Sequence, residues 1–140
     1  MGWLLLSLVS AIAAGITSVF AKAGLEEVPS HLGNAVRTGI VLALSVGVLL
    51  WSGEHQKTGT LNGRAWLFLA LSGLATAVSW VAYFKALSLG EATRVTAIDK
   101  ASLVVTMALA ILFLGERVDW KAGLGVALIV AGSILASAGK

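Results

Sequence analysis

Four ionisable residues stand where so apolar a chain has little reason to keep them. Asp99 and Lys100 lie one to two turns inside the run Val95–Leu114, Arg37 lies near the start of Leu32–Ser52, and Lys85 directly follows the uncharged run Ala65–Phe84. A charge at the centre of a membrane helix costs about 2.5–3.5 kcal/mol, so ionisable groups at that depth usually mark a pathway. The long stem of Lys100 can snorkel to a nearby interface, whereas Asp99 is too short to reach far. Adjacent on a helix, these two point about 100° apart and are not natural partners. Folding the third and fourth helices about a turn near Ala92 instead sets Lys85 level with Asp99, and an ion pair between them is expected. Trp80 and Tyr83, three residues apart and so on one helix face, stand one turn or more inside the same end, although helix packing also explains such a pair. Arg37, Trp80, Tyr83, Lys85, Asp99 and Lys100 are therefore the candidate substrate-binding residues, lining a polar vestibule. In this reading the cations attract an anionic group, Asp99 receives an amino group or fixes Lys85, and the aromatics give apolar walls and a hydroxyl donor.

The elements that must hold these residues are set by composition. Of 140 residues, 58% are hydrophobic and 12% charged, against roughly 45–50% and 25% in soluble domains. The mean hydropathy is +0.93, and a water-facing surface cannot be built from the remainder. Spanning ~30 Å of hydrocarbon takes about 20 apolar residues, and the charges cut the chain into five such pieces, at about 3–21, 32–52, 65–86, 94–114 and 121–138. No stretch alternates with period two, which disfavours a barrel. The expected fold is all-α, a single polytopic membrane domain over residues 1–140. Trp3–Val9 followed by Ala11-Ile12-Ala13 superficially fits a cleaved leader, but no Lys or Arg precedes it and the apolar run continues to Phe20, so it reads as a retained first helix. Trp51, Trp66 and Trp120 at helix ends read as interface anchors.

Ten Lys/Arg against seven Asp/Glu leave a net charge of +3, scattered singly, and this offers no stripe for nucleic acid. With no cysteine there is no disulfide or thiolate chemistry. His31 and His55 fall on opposite sides of the membrane within one chain and cannot share a metal; neither a metal nor a cofactor is expected. The familiar phosphate-loop, HExxH and GxSxG signatures are missing, and no nucleophile–base pair falls at span depth, so an enzyme is not expected.

Five spans put the termini on opposite sides. Lys57, Arg64, Arg117 and Lys121 then face Lys22, Arg37, Lys85, Arg94, Lys100 and Lys140, four against six, or four against four with Arg37 and Lys100 counted as intramembrane. So weak a bias gives almost no orientation signal and permits insertion both ways, with antiparallel pairing of two copies. Close helix approach in lipid relies on small residues. Ser10, Ala14 and Ser18 recur every four residues, as do Gly123, Ala127 and Ala131. Gly125 and Gly132, seven apart in GVALIVAG, form either a seam within the bundle or a surface pairing two chains.

The stretch Ser79–Ser137, with WVAYFKAL, IDKASLVVTMALAILFLGERVDW and GVALIVAGSILA, resembles the second half of an EamA-type domain of the drug/metabolite transporter superfamily. The first-helix exit at Lys22-Ala-Gly-Leu, Arg37 early in the second helix and Glu116 in LGER extend the resemblance over the chain. Many relatives carry two such units in ten helices; this chain is similar to the short five-helix bacterial and archaeal members, one half of a ten-helix inverted-repeat transporter fold. The resemblance implies a secondary transporter of small metabolites, often an exporter of amino acids or related compounds, with its site between inverted halves. Ala97 stands where relatives often have proline before Ile-Asp-Lys, so a straighter fourth helix is expected. The Gly125/Gly132 spacing resembles the dimer motif of small multidrug resistance transporters, but their first-helix carboxylate has no counterpart here. If protons drive this chain, Asp99 is the obvious intramembrane carrier, and an ion pair with Lys85 would keep it ionised.

The function expected is transport of a small polar, carboxylate-bearing metabolite across the cytoplasmic membrane by an antiparallel homodimer. The alternatives are an accessory subunit, a half-flippase for a lipid-linked substrate, or a small-multidrug-resistance-like exporter.

Overall fold

The computed structural model describes residues 2–138; Met1, Gly139 and Lys140, the last of which enters the charge count above, lie outside the described residues. Helix α1 spans Gly2–Gly24, α2 Ser30–Ser52 and α3 Gly63–Leu89. The fourth span is made of α4 (Ala92–Asp99), α5 (Ser102–Leu109) and a closing π turn (Ala110–Leu114), and α6 spans Trp120–Ala138. Five of these segments are long and apolar enough to cross a membrane. No strand occurs among the described residues, and the chain is an all-α polytopic membrane protein, as its hydropathy requires.

Local chemistry sets the helix ends. Pro29, with its fixed φ of −60°, precedes the first residue of α2 and accepts the Gly33 N–H. Gly53 at φ +72° and Gly115 at φ +66° end α2 and the fourth span in the left-handed conformation that glycine adopts without a Cβ clash. Asn62 and Asp119 cap α3 and α6: their side-chain oxygens accept the Ala65 and Ala122 N–H groups at 2.8 and 2.7 Å. The polar connection after Gly53 winds into a 3-10 helix, Glu54–Thr60. Hydroxyls inside the spans bond carbonyls four residues back, as Ser7 does to Trp3, Thr17 to Ala13, Ser45 to Val41 and Thr76 to Ser72. They are thereby satisfied in hydrocarbon without a partner helix.

The described residues form two compact units, residues 20–89 and residues 2–19 with 90–138. In the first, α2 packs against α3, and the only buried large apolar side chains among the described residues are Phe84 and Leu87 of α3. In the second, α4 packs against α6. Most span residues are uncovered by the chain itself, including Leu42, Leu74, Val78, Leu112 and Leu135. That is the pattern of helices solvated by lipid tails or by other helices.

The fourth span changes its hydrogen-bond pattern partway along. At Lys100–Ala101 the bonds switch to the three-residue pattern: Lys100 to Ala97, Ala101 to Ile98, Leu103 to Lys100 and Val104 to Ala101. The interruption falls just past Ala97 and needs no proline. At the far end Gly115 and Glu116 N–H groups both reach the Ala110 carbonyl, closing the π turn.

Candidate functional site

Three helix segments of the first unit meet at the carboxyl end of α3. Trp80, Phe84 and Leu87 recur at i, i+4 and i+7 and so share one face of that helix. From α2, the Arg37 guanidinium lies over the Trp80 ring, 3.6 Å from its centre, and 5.8 Å from the centre of the Phe84 ring. Trp80 meets Tyr83 edge-on at 5.4 Å and Phe84 at 5.9 Å. From the last turn of α1, Lys22 donates through Nζ to the Leu87 carbonyl at 2.8 Å. That carbonyl belongs to the final turn of α3, which has no onward helical donor, and a cation there also meets the negative end of the helix dipole.

The electrostatics are one-sided. A guanidinium in a span costs a few kcal/mol, and a cation–π contact returns about 0.5–2 kcal/mol depending on desolvation. Arg37 makes no ion pair among the described residues. One turn before it on α2, Asn34 has its Oδ1 buried without a hydrogen-bond partner, and Ser30, one turn earlier again, is buried. Ser30, Asn34 and Arg37 are thus a polar stripe at i, i+4 and i+7 along the first half of α2. Gly33 is held close: a Cβ there would stand 2.8 Å from Leu25 Cδ2, so the α1–α2 connection lies tightly on this turn.

Of the sequence-selected residues, Arg37, Trp80 and Tyr83 come together in the first unit. Lys85 belongs to the same unit and is exposed; Asp99 and Lys100 belong to the second, exposed beside the break in the fourth span. In that second unit Glu91 pairs with Arg94 at 2.9 Å, at the start of α4. Phe84 and Asn34 were not selected from sequence, although their spacing from Trp80 and Arg37 placed them on the same faces. The Lys22 bond to the Leu87 carbonyl has no sequence signal. On α6, a Cβ added at Gly125 or at Gly132 would meet no atom within 4 Å, so the chain itself does not cover these two positions.

The arrangement is a cationic, aromatic-walled face in a membrane-spanning helix pair. Sequence comparison identifies the family. A transporter from a Sinorhizobium species, named for its place in the cobO 3′ region and otherwise uncharacterized, is 45% identical over 133 residues, covering 95% of this chain and 94% of that one. The uncharacterized transporter YojE of Bacillus subtilis is 38% identical over 50 residues, 36% of this chain and 17% of the relative. No solved structure matches. The EamA-like transporter family matches residues 1–138, and the chain belongs to that family, within the drug/metabolite transporter superfamily.

Proposed function

We propose that this membrane protein is a secondary transporter exporting a small polar metabolite, an amino acid or similar carboxylate-bearing compound, across the cytoplasmic membrane. The single EamA-like unit over residues 1–140 works as an inverted homodimer. The observation that carries the reading is Arg37 stacked on Trp80: a guanidinium inside a span with aromatic but, among the described residues, no carboxylate partners is prepared to meet an oxyanion. Lys85 and Lys100 add to the attraction, Asp99 receives an amino group or fixes Lys85, and Tyr83 supplies a wall and a hydroxyl.

Two features support the dimer. Cationic residues are nearly balanced between the two sides, and the uncovered Gly125 and Gly132 lie seven residues apart on α6, where a second backbone can approach closely. Purified protein in liposomes tests transport: counterflow of labelled amino and carboxylic acids should exceed that of empty vesicles, and parity across the panel would reject the reading. Tags at both termini, probed from each side of the membrane, test the inverted arrangement. A single orientation in all molecules would end the self-inverted dimer.

A further inference from the structure

We infer that Asn34 is a specificity-determining residue of this face: its Oδ1 accepts a hydrogen bond from an O–H or N–H on the carbon next to the substrate's carboxylate, so that hydroxy and amino acids are taken in preference to plain carboxylic acids. The inference rests on the proposed reading of the Arg37–Trp80 face as a substrate site, and it names what that site requires of a substrate beyond its carboxylate.

A polar side chain inside a membrane helix can be satisfied by its own helix if it has a proton to give. Ser7, Thr17, Ser45 and Thr76 each donate a hydroxyl to the carbonyl four residues back. An amide oxygen only accepts, and past the first turn the backbone N–H groups are already bonded along the helix. Asn34 Oδ1 is such an oxygen, buried and without a partner among the described residues, so its donor must come from outside the α2 backbone. Arg37, three residues on, is a neighbour on the helix surface and carries donors. Its guanidinium nevertheless lies over the Trp80 ring, and Oδ1 stays unpaired. The turn carrying Asn34 is held against the α1–α2 connection, since a Cβ on Gly33 would stand 2.8 Å from Leu25 Cδ2.

A forked cation and, one turn away, a neutral acceptor can together read two adjacent groups of one ligand. A carboxylate held by Arg37 brings the substituent on its neighbouring carbon within reach of the Asn34 amide. Asn34 as a whole is half-buried, and an amide turns broadly about χ2, so Oδ1 can face a ligand without movement of the helix. A ligand with a donor at that carbon gains the bond. One without it leaves a polar atom buried and unpaired, a mismatch that binding sites discriminate strongly. An ammonium has three N–H groups and Asn34 accepts from one of them, so the inference holds whichever role Asp99 has.

Acids of one skeleton that differ only at that carbon isolate the effect. Thermal-shift titrations of the full chain in detergent would compare propionate with lactate and alanine, succinate with malate and aspartate, and 3-phenylpropionate with 3-phenyllactate and phenylalanine, the ligand-induced rise of the midpoint giving each Kd. In at least one series a donor-bearing acid should bind about tenfold more tightly than the plain acid, or better. Asn34→Leu should bring that ratio to about one by weakening the donor-bearing acid and leaving the plain acid as it was, and Asn34→Ala should do the same. A plain acid that binds as tightly as its donor-bearing partners in every series overturns the inference. So does a preference that survives both Asn34 variants, which would give Oδ1 a purely structural partner such as a second copy. No midpoint rise with any of the acids at about 20 mM also overturns it. The expected preference without counterflow would instead defeat the transport reading alone, and counterflow that ignores the donor would defeat this inference alone.

Discussion

The Arg37 guanidinium of α2 sits 3.6 Å above the centre of the Trp80 ring of α3, joining the two helices through a charge and a π face rather than through an ion pair. Lysine in place of arginine keeps the charge but loses the planar stack and the bidentate fork. Arg37→Lys is expected to lower counterflow about tenfold or more, equivalent to about 1.4 kcal/mol of lost recognition. Trp80→Leu should lower it comparably while leaving the helical circular dichroism signal in place. Unchanged counterflow in both variants would remove this contact from the site.

Asn34 gives a prediction of opposite sign for stability. A buried acceptor without a donor carries a desolvation cost of about 1–3 kcal/mol, and an apolar residue of similar shape removes it. Asn34→Leu should raise the thermal midpoint in detergent while reducing transport. A lowered midpoint would mean that Oδ1 has a structural partner in the assembled protein.

At the Leu87 carbonyl the ammonium of Lys22 is the donor, and Leu87 is fully buried. Lys22→Met removes that donor and is expected to cost about 1–3 kcal/mol, read as a lower thermal midpoint. Arg at the same position should recover most of the loss. Equal midpoints for Met and wild type would show that the cap contributes nothing.

Much of this was legible in the sequence, and the reasons differ by feature. Five spans follow from hydropathy because lipid demands about 20 apolar residues with every backbone group paired, and the alternative solutions are few. The Trp80–Tyr83 contact follows from helical spacing alone. The Arg37 stack was harder to read: charge at span depth signalled function, but the choice of Trp80 as partner depends on how α2 lies against α3. Lys22 and Leu87 are 65 residues apart, and a side chain bonding a backbone carbonyl leaves no mark in residue type. The break at Lys100–Ala101 carries no sequence mark, because the switch to three-residue bonds there occurs without a proline.

Gly125 and Gly132 separate folding from assembly. Because a Cβ at either position meets nothing within 4 Å, Gly132→Leu should leave helix content unchanged in the single chain. If α6 pairs two copies, the same substitution should abolish cross-linking between copies and with it counterflow. Cross-linking at wild-type levels would place the dimer interface elsewhere.

The proposed Lys85–Asp99 pair is a matter for a double-mutant cycle. Lys85→Ala and Asp99→Ala should each reduce counterflow, with the double variant no worse than either and a coupling within about 0.5–3 kcal/mol. Strictly additive losses would show that the two charges act independently.

The interruption at Lys100–Ala101 divides the fourth span into arms of unequal attachment, since α4 is the arm packed on α6. From Ala92 to Asp99 that arm is about 12 Å long at 1.5 Å per residue. A tilt of about 10° at the joint therefore carries Ala92 through about 2 Å while the lower arm keeps its own axis. Asp99 and Lys100 occupy the pivot itself, so tilting the arm reorients two charges with scarcely any translation of either.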